Sequence, residues 1–152
     1  MASAPQQPQL PMFYQDLMPL NTRDHMKFRN RLRDSAPWLA KQHVVPLTAD
    51  EFVQAARHYP IIFSAGENPL PLALFGLNEG VNTFFDADGK MIDPIYVPAY
   101  IRRYPFLLAK LSSENEDLSL CFDPTADSGG EFDEGEPFFN EDGPTTDQTK
   151  AI

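Results

Sequence analysis

Five residues in one short stretch have side chains suited to molecular recognition: Tyr96, Tyr100, Arg102, Arg103 and Tyr104. Tyrosine and arginine are enriched among the residues that dominate binding energy, because they offer rigid rings and planar hydrogen-bond donors. The same residue types also pack well in an aromatic-rich turn, which is the simpler structural alternative. Nucleophilic or acid–base chemistry would need a paired base, which this stretch lacks. We therefore interpret the five residues as a candidate surface for a protein or peptide partner.

The other reactive side chains form no catalytic or metal-binding pattern. His25, His43 and His58 are scattered, and the sequence has neither a His-x-x-x-His nor a Cys-x-x-Cys spacing for zinc. The single cysteine, Cys121, lies between leucine and phenylalanine, which predicts a buried strand thiol rather than an exposed nucleophile. No phosphate-binding loop or serine nucleophile elbow occurs. The sequence therefore predicts no catalytic residue, no metal ligand and no cofactor.

Two acidic segments end in glycine, at residues 86–89 (Asp-Ala-Asp-Gly) and 140–143 (Asn-Glu-Asp-Gly). The first is similar to the start of a calcium-binding loop, but the later oxygen ligands and the glutamate at position twelve are missing. Glycine after aspartate or asparagine is typical of a tight turn, because glycine readily adopts positive φ. We predict β-turns at both segments.

Pro98 and Pro105 flank the segment that contains Arg102 and Arg103, and they predict a short helix there. Pro98 suits a first helical position, and Pro105 prevents the helix from continuing, so we predict helical turns over residues 99–103. Adjacent helical residues diverge by about 100°. We therefore expect one of Arg102 and Arg103 at the surface, and the other over a tyrosine ring or paired with an acid.

The main helix is predicted over residues 48–58. Thr48-Ala49-Asp50-Glu51 forms a capping box, in which the Glu51 side chain returns to the backbone N–H of Thr48. Tyr59-Pro60 ends this helix. Short apolar runs separated by turn residues predict an α+β fold, with one antiparallel sheet packed against the helix. The predicted strands are Gln42–Val45, Ile61–Phe63, Leu72–Leu77, Asn82–Phe85, Phe106–Lys110 and Leu118–Phe122.

Lys27, Arg29, Arg31 and Arg33 recur at every second position, so on a strand all four would line one face. The simpler interpretation is a solvated strand face. Contact with an anionic partner, or with the acidic tail of the same chain, stays open as an alternative.

The charged residues are distributed unevenly along the chain. Residues 1–111 hold eleven Lys and Arg against ten Asp and Glu, whereas residues 112–152 hold twelve acids against Lys150 alone. Binding to nucleic acid is not expected, because it needs a basic face. We predict a disordered leader over residues 1–9, a domain over residues 10–123, and an acidic, loop-like tail over residues 124–152.

No secretory signal or apolar segment long enough to span a membrane is present, and the single cysteine excludes an internal disulfide. We therefore predict a cytoplasmic protein. The sequence leaves open whether the protein forms an oligomer.

Five segments, spread in order along the chain, resemble the SapC family. They are "FYQDLMPLN" with "RDH" at 13–25, "VVPLTADEFVQAARHYPIIF" at 44–63, "ALFGLNEGVNTFFDADG" at 73–89, "YVPAYIRRYPFLLA" at 96–109 and "LCFD" at 120–123. The resemblance covers residues 13–143, and the "YVPAYIRRYPF" block is specific. It implies a bacterial protein associated with the surface layer (S-layer), or with polypeptide export or modification, and it supplies no catalytic residues.

The resemblance also implies a further C-terminal half, so we expect either a short or a truncated member of the family. Three functions follow as hypotheses. The first is a non-catalytic accessory or binding protein. The second is a peptide-modifying enzyme with a site near Tyr100, Arg102 and Arg103. The third is a structural subunit completed by another chain.

Overall fold

The computed structural model describes residues 10–111 and 117–151. The leader predicted over residues 1–9 and all but the last residue of the polar turn predicted over 112–117 lie outside the described residues. The chain divides into two compact units. The first combines the residues up to Leu32 with those from Tyr104 onward, and the second is Arg33–Arg103.

All elements in the described residues are short. The α-helices are α1 (Thr22–His25), α2 (Phe52–Ala55), α3 (Ala99–Arg102) and α4 (Asp147–Lys150), and 3-10 turns occupy Pro37–Leu39 and Ala49–Glu51. The strands are β1 (Met18–Pro19), β2 (Phe28–Asn30), β3 (Val44–Pro46), β4 (Ile61–Phe63), β5 (Pro71–Leu74), β6 (Phe106–Lys110), β7 (Leu118–Phe122), β8 (Gly129–Glu131) and β9 (Glu136–Pro137).

The α+β class is confirmed, but the strands form three small antiparallel sheets where one was expected. The first unit contains two of them, in the orders β1-β7-β6 and β8-β2-β9. The second unit contains the sheet β3-β5-β4. Fifteen prolines and many tight turns keep the strands short, because proline cannot donate to a sheet ladder.

Phenylalanine side chains form the core of the first unit. Phe106, Phe122, Phe138 and Phe139 are buried together. The rings of Phe106 and Phe138 meet edge to face at 5.4 Å, an arrangement favoured by their quadrupoles. Four further apolar side chains pack against this cluster: Leu20, Met26, Phe28 and Leu120.

The acidic tail is not loop-like, which corrects our prediction for residues 124–152. It supplies β8, β9 and α4, and its Phe138 and Phe139 belong to the core.

The basic segment does not form one strand face, because β2 ends at Asn30 and contains Arg29 alone of the four cations. The alternative of contact with the tail holds for Arg29, which donates to Gly135, and for Arg31, which lies over the Phe132 ring.

In the second unit, β5 is the central strand and pairs with β3 and β4. The predicted strand Asn82–Phe85 is not formed: Phe85 alone makes an isolated antiparallel bridge, to Met91, and the Asn82 side chain takes part in the local hydrogen bonds. Its amide nitrogen donates to the carbonyls of Leu39 and Gln42, and its oxygen accepts from the backbone N–H of Phe84 and Phe85. The predicted helix over 48–58 contains α2, which ends at Ala55.

Both predicted acidic turns are confirmed. The N–H of Gly89 donates to the carbonyl of Asp86, and the N–H of Gly143 donates to the carbonyl of Asn140. Both glycines have positive φ, +75° and +103°. The Asp86 carboxylate accepts from the backbone N–H groups of Asp88 and Lys90, so it acts as a turn residue.

Candidate functional site

Tyr96, one of the predicted recognition residues, contacts a buried carboxylate in the second unit. Glu51 is only 6% exposed, at the end of the 3-10 turn that precedes α2. Its Oε2 accepts from the backbone N–H of Thr48 at 2.9 Å and from the Thr48 hydroxyl at 3.0 Å. Its Oε1 accepts from the Tyr96 hydroxyl at 3.0 Å and from the N–H of Ala99 at 2.6 Å. One side chain therefore joins the start of α2 to the start of α3.

These hydrogen bonds keep Glu51 ionised. Burial raises the pKa of its carboxyl group, but hydrogen bonds from the Thr48 and Ala99 backbones and from Tyr96 outweigh burial, so the pKa lies below 4.5. A carboxylate that is ionised at neutral pH, with both oxygens occupied, is a poor proton donor and has little capacity to accept another hydrogen bond.

Tyr96 links this carboxylate to Arg102. Nη2 of Arg102 donates to the Tyr96 hydroxyl at 3.3 Å, and the guanidinium carbon lies 5.7 Å from the centroid of the Tyr96 ring. Burial and the hydrogen bond to Glu51 raise the pKa of Tyr96, so its hydroxyl stays protonated. The polar chain Arg102–Tyr96–Glu51 therefore holds an exposed guanidinium against a fixed ring.

Tyr59 supports the same arrangement from the end of the main helical segment. Its hydroxyl donates to the backbone carbonyl of Tyr96 at 3.0 Å, and its ring packs edge to face on Phe75. Burial raises the pKa of Tyr59 far above the ordinary value, so this group also remains a neutral donor.

Arg103 occupies a different environment from Arg102, as the helical geometry predicts. Arg103 is half-buried, and its guanidinium carbon lies 4.1 Å from the centroid of the Tyr100 ring. Its buried Nε has no hydrogen-bond partner among the described residues. We expected one arginine over a tyrosine, but both occupy such positions.

Tyr104 belongs to the first unit, in contrast to the other four predicted residues. Its ring packs edge to face on Tyr14 at 5.2 Å and on Phe13 at 6.3 Å. These contacts give Tyr104 a packing role within that unit.

Cys121 lies in the same unit and is 1% exposed, and burial raises the pKa of its thiol. The predicted buried strand position of Cys121 is confirmed.

Sequence reasoning identified Glu51 only as a capping residue. Its contacts with Tyr96 and Ala99 join positions 45 and 48 residues apart along the chain. One sequence feature could have indicated this link. The start of α3 has no residue of its own that could cap it with a side chain, so a distant acceptor such as Glu51 was needed there.

Replacing the two arginines separately tests their different environments. We expect Arg103→Ala to lower the free energy of unfolding by about 0.5–2 kcal/mol, because a half-buried cation–π contact is lost. Arg102→Ala should change the free energy by no more than about 0.5 kcal/mol, because Arg102 is exposed. Urea denaturation of both variants measures this difference. Equal stability of the two variants would contradict the assignment of Arg103 as the structural member of the pair.

We compared the chain with known protein families, curated proteins and solved structures. In the described residues, no helix has both the length and the apolar character needed to cross a lipid bilayer, and no group of three or more His, Cys, Asp or Glu side chains could hold a metal ion. No curated protein and no solved structure matches the chain. The family model SapC matches residues 20–152. Because this match covers well over half of the sequence, the chain belongs to the SapC family.

Proposed function

We propose that this SapC-family protein is a non-catalytic accessory protein that binds a protein or peptide partner in the cytoplasm. We further propose that it acts in bacterial S-layer formation or in polypeptide export or modification. Arg102, held by Tyr96, is the proposed centre of the binding surface; Tyr100 lies on the same short helix, and Arg103 directly follows it.

The observation that carries this proposal is an exposed guanidinium on a fixed support. Arginine has five N–H donors, and in the described part of the chain Arg102 uses one of them, toward Tyr96. The remaining donors are available to a carboxylate of the partner. Because Glu51 accepts from the Tyr96 hydroxyl and Tyr59 donates to the Tyr96 backbone carbonyl, the support beneath Arg102 is fixed at both of these points, and less side-chain entropy is lost when a partner binds.

The protonation states near Arg102 favour binding over catalysis. Glu51 stays ionised with its oxygens occupied, while Tyr59 and Tyr96 stay protonated. General acid–base catalysis works best with a group whose pKa lies near the operating pH. The pKa values of these three groups are shifted away from neutral pH. The alternative of a peptide-modifying enzyme at Tyr100, Arg102 and Arg103 would therefore need its base from elsewhere.

Partner capture tests the proposed surface. The tagged protein is used to capture partners from a lysate of its native host, and the affinity of the identified partner is then measured with purified proteins. We expect Arg102→Ala to weaken that affinity at least tenfold, because a hydrogen bond to a charged group contributes about 1.5–3 kcal/mol. Arg57→Ala, which removes another exposed arginine of the second unit, should leave the affinity unchanged.

Three results would contradict the proposal. Equal loss of affinity in the Arg102 and Arg57 variants would indicate a general charge effect. Turnover of the captured peptide or protein by the purified chain would favour the enzyme. A partner that binds stoichiometrically, co-folds with the chain and ignores the Arg102 substitution would favour the third hypothesis, a structural subunit.

A further inference from the structure

The first unit contains a cavity of about 640 Å³ that the preceding proposal does not use. It lies between the segment around β2 and the segment of the acidic tail that runs from β8 past β9. Its lining includes two basic side chains, Lys27 and Arg29, and two carboxylates, Asp133 and Glu141. Its size falls within the range of roughly 300–1,000 Å³ that is typical of small-ligand pockets.

Arg29, one of the two basic side chains of this cavity, is firmly positioned. Arg29 lies on β2, the central strand of its sheet, and its Nη1 donates to the backbone carbonyl of Gly135 at 2.9 Å. Gly135 has a φ of +111°, and a Cβ there would lie 2.5 Å from the carbonyl oxygen of Asn30. Only glycine allows the tail to approach β2 this closely, so the connection between β8 and β9 is held against the central strand.

Charges of both signs line the cavity without neutralising each other. In the part of the chain that the structure describes, neither Lys27 nor Arg29 forms an ion pair with Asp133 or Glu141. Lys27, Asp133 and Glu141 are exposed, whereas Arg29 is half-buried. A ligand carrying one negative and one positive group could therefore interact with both kinds of side chain.

Two aromatic rings, Phe132 and Phe139, add an apolar surface to the cavity lining. Phe139 is only 6% exposed and belongs to the core of the first unit, so its position is fixed by packing. Phe132 is half-buried, and the guanidinium carbon of Arg31 lies 3.6 Å from the centroid of its ring. The cation–π contact restrains the Phe132 ring in the cavity wall. Asn140, also in the lining, offers an amide donor and acceptor.

We propose that this cavity binds a short zwitterionic peptide with an apolar side chain. Lys27 and Arg29 bind its terminal carboxylate, and Asp133 and Glu141 bind its terminal ammonium group. Phe132 and Phe139 contact the apolar side chain, and the Asn140 amide pairs with the peptide group. The cavity belongs to the first unit and Arg102 to the second, so this proposal does not depend on the proposed partner surface.

Titration calorimetry with the full chain and the dipeptide alanyl-phenylalanine tests the proposal. We expect binding with a Kd below about 1 mM. N-acetylation or C-amidation of the dipeptide should each weaken binding about tenfold or more, because each removes one charge. Alanyl-alanine should also bind at least tenfold more weakly, because it lacks the ring.

Two variants assign the binding to the cavity. Lys27→Ala and Asp133→Asn change exposed side chains, and each should weaken dipeptide binding at least fivefold with the urea midpoint unchanged. Lys41→Ala, an exposed lysine of the second unit, should have no effect. The proposal is overturned by an absence of binding at 10 mM dipeptide, or by equal binding of the blocked dipeptides. Free phenylalanine binding as tightly as the dipeptide would overturn the peptide class.

Discussion

Replacing Glu51 by glutamine is expected to lower the free energy of unfolding by about 2–4 kcal/mol, because a buried, charge-assisted hydrogen-bond centre is lost. The carboxylate accepts four hydrogen bonds, two on each oxygen. Glutamine keeps one acceptor oxygen, but its NH₂ group would face two of the donors. The starts of α2 and α3 would then lose their common partner. Urea denaturation of the wild-type protein and of Glu51→Gln measures the effect.

Asp50→Asn is the matched control, because Asp50 is an exposed carboxylate in the same 3-10 turn. This substitution should lower the free energy of unfolding by no more than about 1 kcal/mol, the size of a surface interaction with a helix terminus. If Asp50→Asn and Glu51→Gln have equal effects, Glu51 acts only as a negative charge at a helix start, and the assigned hydrogen-bond centre is wrong.

The effect of Glu51 should also depend on pH in a defined direction. Its pKa in the folded protein lies below 4.5, so folding favours the ionised form. Such a group contributes stability that is fully present above its unfolded pKa and is lost as the pH falls through its folded pKa. The stability difference between the wild-type protein and Glu51→Gln should therefore be constant from pH 7 to about 5.5 and shrink below 4.5. A difference that grows on acidification would contradict the lowered pKa.

Local patterns predicted those elements whose determinants are themselves local. The strands Ile61–Phe63, Phe106–Lys110 and Leu118–Phe122 have the predicted bounds, because each is a short apolar run limited by proline or turn residues. The Thr48–Glu51 capping box is present for the same reason. The strands Phe106–Lys110 and Leu118–Phe122 pair antiparallel, with Phe106 opposite Phe122.

Features that depend on distant partners were not predictable in this way. In the acidic tail, Phe138 and Phe139 are isolated apolar residues among carboxylates, and no periodicity marks them as core. They are buried because β2 supplies a pairing partner about a hundred residues earlier in the chain. The link from Glu51 to Tyr96 is likewise a tertiary contact. The sequence could propose Tyr96 and Arg102 as candidate residues, but the buried carboxylate that accepts from the Tyr96 hydroxyl could not be predicted.

A methyl group at Gly89 should destabilise the protein about as strongly as the loss of the Glu51 carboxylate. Gly89 ends the turn at residues 86–89, and its carbonyl accepts from the N–H of Ala36 at 2.8 Å. A Cβ at this position would lie 2.1 Å from the carbonyl carbon of Ala36 and 2.4 Å from the nitrogen of Pro37. These are backbone atoms, so no rotamer change relieves the clash, and the turn must separate from the 3-10 turn at Pro37–Leu39.

Gly80→Ala is the matched control for Gly89→Ala, because Gly80 has nearly the same φ, +79° against +75°, and a Cβ there would meet nothing within 4 Å. Gly80→Ala therefore measures the backbone strain alone, about 1–2 kcal/mol. Gly89→Ala should cost at least about 2 kcal/mol more, because overpacking against fixed backbone adds to the strain. Urea denaturation of both variants, with hydrogen exchange at Ala36 as a local probe, tests the difference. Equal destabilisation by the two substitutions would show that the turn does not pack against Ala36 as described.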